Sequence, residues 1–133
     1  DKLVAAYEKL IPQLSQSSRP PTKQDLERMI NSDITTVLIA TNKDDQIVGT
    51  MTLVLFRIPT GLRAWIEDVI VDSESQGKGI GKKLNQKALT IAEKAGAKTV
   101  ELTSRPSREA ANRLYQNLGF EKRETNIYRF TFD

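Results

Sequence analysis

The sequence predicts an α+β domain built on a central mixed sheet of about six strands, mostly antiparallel, with helices on both faces. Three observations carry this reading. Trp65 to Ala95 reads as a buried strand, a polar glycine-rich turn and an amphipathic helix. Two β-branched runs, Thr35 to Thr41 and Ile47 to Phe56, lead into that strand through turn residues and predict an antiparallel meander. Thr99 to Thr103 follows the helix, so it returns by a crossover, parallel to the Trp65 strand and right-handed in its connection.

Taken in order, Leu3, Tyr7, Leu10, Ile11 and Leu14 mark one face of a first helix ending near Ser15 or Gln16. Pro12 falls inside that pattern, so the helix is kinked there or stops a turn earlier. Ser17 to Pro21 is a loop, and Thr22 is the N-cap of a short second helix with Asp25 as its capping partner. Asn42 to Asp45 turns the first strand into the second, where Gly49 marks close packing or a bulge. Arg57 to Arg63 makes the next turn. Ile80, Leu84, Ala88, Ile91, Ala92 and Ala95 recur at the helical period, and Gly96 sits where a left-handed cap ends the helix. A further helix runs from about Arg108 to Leu118, and the residues from Phe120 to Phe132 read as a final hairpin.

With 133 residues the chain suits a single domain, 1–133. Its net charge of +3 comes from charges interspersed along the sequence, so no basic stripe points to nucleic acid. No long apolar run points to a membrane, and the expected setting is the cytoplasm. The absence of cysteine and histidine removes thiolate nucleophiles, the commonest general base and the usual zinc ligands, so no metal site is expected. Chemistry must come from carboxylates, tyrosine, lysine, backbone groups or water.

The turn Gln76-Gly77-Lys78-Gly79-Ile80-Gly81 is the strongest site signal. Glycines let a ligand approach the backbone, the first turn of a helix has amides without intrahelical partners, and Lys78, Lys82 and Lys83 add positive charge. A phosphate or diphosphate fits such a turn. A tight connection with no ligand would use glycines equally well. The spacing is neither GxxxxGK[ST] nor GxGxxG.

This turn resembles the (R/Q)xxGx(G/A) signature of the GNAT superfamily of acyl-CoA-dependent N-acyltransferases. Asn112 to Phe120, NRLYQNLGF, is similar to that family's LYxxxGF segment and follows in the family's order after one helix and one strand. The resemblance runs from about Thr35 to the end. It implies an N-acetyltransferase in which a primary amine of a small molecule or peptide attacks acetyl-CoA directly in a ternary complex. The family usually opens with a strand. Here the first residues look helical, so that strand is expected to be absent or to precede Asp1.

The resemblance also implies roles. The backbone of Val69, Ile70 and Val71 would bind the pantetheine arm and polarise the thioester, and the amides from Gly77 to Lys82 would hold the diphosphate. Tyr115 would protonate the departing thiolate, and without the motif it reads as a packed aromatic. Glu67 lies where the hexosamine-phosphate N-acetyltransferases carry a glutamate near the acceptor nitrogen. It is either a base acting through water or half of an ion pair with an arginine, with Asp68 expected on the other face. Arg108, Asn112 and Tyr115 share a helical face, and Arg108 occupies a position where many relatives carry a cofactor-binding asparagine. A CoA-binding module without catalysis is the rival reading. The acceptor and the choice between monomer and homodimer are not encoded in any recognisable motif.

Overall fold

The computed structural model describes residues 2–133, so Asp1 lies outside the described residues. The chain divides into two compact units, Asp1–Thr103 and Ser104–Asp133.

The first unit opens with helix α1 (Lys2–Leu14), which continues through Pro12. Helix α2 (Lys23–Ile30) begins with a complete capping box: Thr22 Oγ1 accepts from the Asp25 amide at 3.1 Å, and Asp25 Oδ2 accepts from the Thr22 amide at 3.0 Å. Strands β1 (Thr35–Thr41), β2 (Ile47–Ile58) and β3 (Gly61–Val71) form the antiparallel meander. At the first turn the Asn42 side chain accepts from the amides of Asp44 and Gln46, both at 2.9 Å, the local bonding that makes asparagine a turn residue. The second turn is tighter than expected, since Ile58 already pairs with Gly61. After helix α3 (Ile80–Ala95), capped by Gly96 with φ 88°, strand β4 (Thr99–Glu101) joins β3 in parallel and completes the sheet order β1-β2-β3-β4.

Gly49 explains how α3 lies on this sheet. A Cβ placed there would come within 3.0 Å of Ile80 Cγ2 and 3.3 Å of Leu84 Cδ1, so the glycine is a close-packing site. The face of β2 that carries Gly49, Met51 and Leu53 therefore receives α3, whose Leu84, Ala88 and Ala92 are buried. The opposite face is closed by α1 and α2, with Tyr7, Leu10, Ile11 and Leu26 packed around Ile70.

A bulge lies between these faces. Thr52 pairs with Glu67 and Thr50 with Ile70, so Met51 alone stands opposite both Asp68 and Val69. Asp68 adopts φ 49°, a left-handed conformation that aspartate tolerates better than most residues. Because directly opposed residues share a face, Ile66 beside Leu53 faces α3, whereas Ile70 beside Thr50 faces α1 and α2.

The second unit contains helix α4 (Glu109–Asn117). The expected final hairpin does not form: residues 120–133 carry no strand, and four strands are described instead of about six. Ile127, Tyr128, Phe130 and Phe132 are 67–88% exposed, so their alternation buries no face. Alternation supports a strand only where a core takes up one side of it.

Candidate active site

The parallel pairing of β3 with β4 is short. It covers Arg63 with Thr99, Ala64 with Val100 and Trp65 with Glu101. Past Trp65, the side of β3 turned away from β2 has no strand partner among the described residues. The opened segment holds Glu67, Asp68, Val69, Ile70 and Val71, and it leads directly into the turn. A strand edge without a partner can receive an extended chain carrying its own amides.

Asp72 fixes the end of this edge. Its carboxylate is buried, and Oδ2 lies 2.9 Å from Lys9 Nζ. Oδ1 accepts from Gln13 Nε2 at 3.4 Å and from the Glu74 amide at 3.3 Å. Gln13 Oε1 in turn accepts from the Ser73 amide at 2.9 Å. The bond from Lys9 holds the Asp72 carboxyl below the usual carboxylate range, although burial opposes it. Two side chains of α1 thus tie down the short 3₁₀ turn Ser73–Ser75 that enters the glycine loop.

In that loop Gly77 and Gly79 have φ 81° and 79°, and a Cβ on either would meet nothing within 4 Å. The left-handed backbone requires glycine, and the space beside it is open. Gly79 is also the N-cap of α3, which has no side-chain cap, so the amides of Ile80, Gly81 and Lys82 are left for a ligand or solvent. Lys78, Lys82 and Lys83 are exposed around them. The donor set fits a diphosphate. Gln76 Nε2 donates to the Val71 carbonyl at 3.3 Å.

Glu67 is exposed, and its Oε2 accepts from Trp65 Nε1 at 2.6 Å. Among the described residues it forms no ion pair, which removes the arginine partner considered from sequence. Asp68 is exposed beside it on the bulge. On the same face as Glu67 and Thr52 lies Tyr7, close to the hydroxyls of Thr50 and Thr52. Burial raises the Tyr7 pKa; Thr50 opposes the rise, Asp68 adds to it and Thr52 opposes it. The fully buried Thr50 Oγ1 makes no hydrogen bond of good geometry, so its relation to Tyr7 is proximity only.

In the second unit Tyr115 is buried and meets Phe120 edge to face, ring centres 5.7 Å apart. Burial pushes its phenol up, partly offset by the charge of Arg108, so it keeps its proton at neutral pH. Arg108 is the N-cap residue of α4, without a side-chain cap bond. Asn112 Nδ2 donates to the carbonyls of Arg105 and Arg108, both at 2.9 Å, so its amide donors pin the helix start. Among the described residues no group of three or more His, Cys, Asp or Glu could hold a metal, and no helix is long and apolar enough to cross a membrane.

Sequence reasoning missed the Trp65 indole, the Lys9 and Gln13 clamp, and Asn85. The last is fully buried on α3, donates to the Gly81 carbonyl at 2.8 Å and leaves Oδ1 unpartnered. Only the Trp65 contact had a readable signal, an indole and a carboxylate two apart on a strand.

The chain has relatives with this architecture. It is 39% identical over 61 residues to an uncharacterised N-acetyltransferase of Methanocaldococcus jannaschii, covering 46% of this chain and 27% of that protein. The chain spans between about a quarter and a half of the length of the curated relatives it matches. The glucosamine-6-phosphate N-acetyltransferase of Arabidopsis thaliana superposes with a TM-score of 0.81 at 19% identity, over 100% of this chain and 95% of that one. An aminoglycoside acetyltransferase from an uncultured soil metagenomic sample superposes with a TM-score of 0.84 at 21% identity, over 99% and 87%. At those identities the superpositions speak for the fold. The model of the acetyltransferase (GNAT) family matches residues 3–120, and with the opened β3 and the glycine turn at the head of α3 already in view, the chain belongs to that family.

Proposed function

We propose that residues 1–133 act as one N-acetyltransferase domain, moving the acetyl group of acetyl-CoA to a primary amine of a small molecule or peptide by direct attack in a ternary complex. The observation that carries this reading is the continuity of the opened half of β3 with the glycine turn. One receives an extended arm and the other an anion, and they adjoin at Val71 and Asp72. Acetyl-CoA supplies the thioester.

In this reading the amides from Gly77 to Lys82 bind the diphosphate, with Lys78 and Lys82 screening its charge. The backbone of Val69, Ile70 and Val71 pairs with the pantetheine arm and donates to the thioester oxygen as negative charge develops there. Glu67 takes a proton from the acceptor ammonium, directly or through one water, and frees the nitrogen lone pair. The C–N bond forms, the C–S bond breaks, and Tyr115 gives its proton to the thiolate and recovers one from solvent. No cysteine is present in the sequence to carry the acetyl group, which favours direct attack. Placing amine and carbonyl together supplies much of the acceleration, up to roughly 7–11 kcal/mol. Arg108 and Asn112 are assigned to cofactor contact by motif position, Asn112 through its remaining oxygen or its backbone.

The test is release of free CoA from acetyl-CoA with a panel of aminosugars, aminoglycosides, polyamines and peptides bearing a free α-amine. Turnover with at least one amine, and a Tyr115→Phe variant that binds acetyl-CoA normally but turns over at least about 100-fold more slowly, are the expected results. Tight acetyl-CoA binding with background release throughout would support the CoA-binding module instead.

A further inference from the structure

We propose that Trp65 is the positioning residue for Glu67: its indole N–H holds one carboxylate oxygen and leaves the other aimed at the acceptor amine. This rests on the reading of Glu67 as the base. The two side chains stand two apart on β3, opposite Val54 and Thr52 of β2, and so share a face, with Nε1 2.6 Å from Oε2.

Their backbones differ in a way that gives the pair a fixed and a free member. Trp65 is the last β3 residue paired on both sides, with Val54 in β2 and Glu101 in β4. Glu67 lies two residues further on, paired to β2 alone and next to the bulge. A glutamate there has three rotatable bonds, an exposed head and no ion pair among the described residues. Unheld, it would lose rotamer freedom at each turnover, a cost that reduces effective positioning.

The chemistry of the partner matters as much as its place. Indole is a donor only, so it cannot take up the proton that Glu67 must accept. It is also neutral, so it orients the carboxylate without the strong charge neutralisation that an arginine would impose. The acceptor's proton passes from nitrogen to Oε1, while Oε2 keeps its bond to the indole throughout.

The experiment compares the wild type, W65F, E67Q and the double variant in CoA release from acetyl-CoA, using the panel amine with the highest rate. The W65F variant should lose about tenfold in kcat, the scale of one charge-assisted hydrogen bond, with KM for acetyl-CoA unchanged. In the E67Q background the same change should cost nothing further, because the indole acts only through the carboxylate. Additive losses, or a W65F variant at the wild-type rate, overturn the proposal while leaving the acetyltransferase reading in place. A wild type inactive with every amine overturns both. Should W65F fold poorly, E67A removes the acceptor and retains the chain's sole tryptophan, whose emission must shift relative to wild type. Identical emission spectra overturn the contact.

Discussion

Ile66 and Ile70 are both buried isoleucines on one strand, four residues apart, yet they face opposite sides of the sheet. A strict two-residue period would put them together. The extra residue at Asp68 and Val69 turns the strand over, and the pairing of β3 changes just before that point. From Arg63 to Trp65 the strand pairs with both β2 and β4, and Ala64 and Ile66 serve the α3 side. Past Trp65 the strand pairs with β2 alone and exposes Glu67 and Asp68 beside an edge without a strand partner among the described residues, and beyond the bulge it turns Ile70 to the α1 and α2 side. Scaffold and candidate site are consecutive halves of a single strand, meeting between Trp65 and the bulge.

The sharpest way to break that comparison is to mutate two neighbours where the β4 pairing has just ended. Glu67→Gln should lower kcat by about 10²–10⁴-fold, the usual range for losing a general base, while the melting temperature stays within a degree or two. Ile66→Ala should do the reverse, costing roughly 2–5 kcal/mol in denaturant unfolding while the protein that stays folded keeps its rate. Equal effects on stability and rate in both variants would erase the division.

The bulge itself gives the next largest effect. Asp68 at φ 49° occupies backbone space closed to β-branched residues, so Asp68→Val should cost roughly 1–3 kcal/mol. Asp68→Gly, which fits the conformation, should stay within about 0.5 kcal/mol of wild type. If valine and glycine prove equivalent by denaturant unfolding, the bulge is not a constraint on this strand.

How readable these regions were from sequence follows the same boundary. The Thr22 capping box, the Gly96 cap, the meander and the glycine turn each rest on local rules involving a few neighbouring residues, and each forms as read. The bulge does not, because Val69, Ile70 and Val71 form an unbroken apolar run in which no alternation marks the inserted residue. Period counting therefore set Glu67 and Asp68 simply back to back. The Lys9, Gln13 and Asp72 cluster joins positions about sixty apart, which no local pattern encodes. The residues from Ile127 to Phe132 show the converse error: a good strand pattern that finds no face to bury.

The smallest expected effect lies at Asp72, where the opened half of β3 meets the turn. Its folded-state pKa is lowered, chiefly by the bond from Lys9, so folding favours the charged carboxylate. The stabilisation is therefore complete above the ordinary carboxylate value near ~3.9 and is lost as pH falls from there through the lowered one. Asp72→Asn keeps a side chain able to cap the Ser73–Ser75 turn but gives up the charge. Lys9 is well exposed, so the loss near pH 7 should be only roughly 0.2–1 kcal/mol. Urea unfolding at pH 7 and at pH 3 should show the gap between wild type and variant narrowing at the lower pH. A gap that stays constant would mean that Asp72 acts through its shape alone, and that α1 holds the entrance to the glycine turn without help from charge.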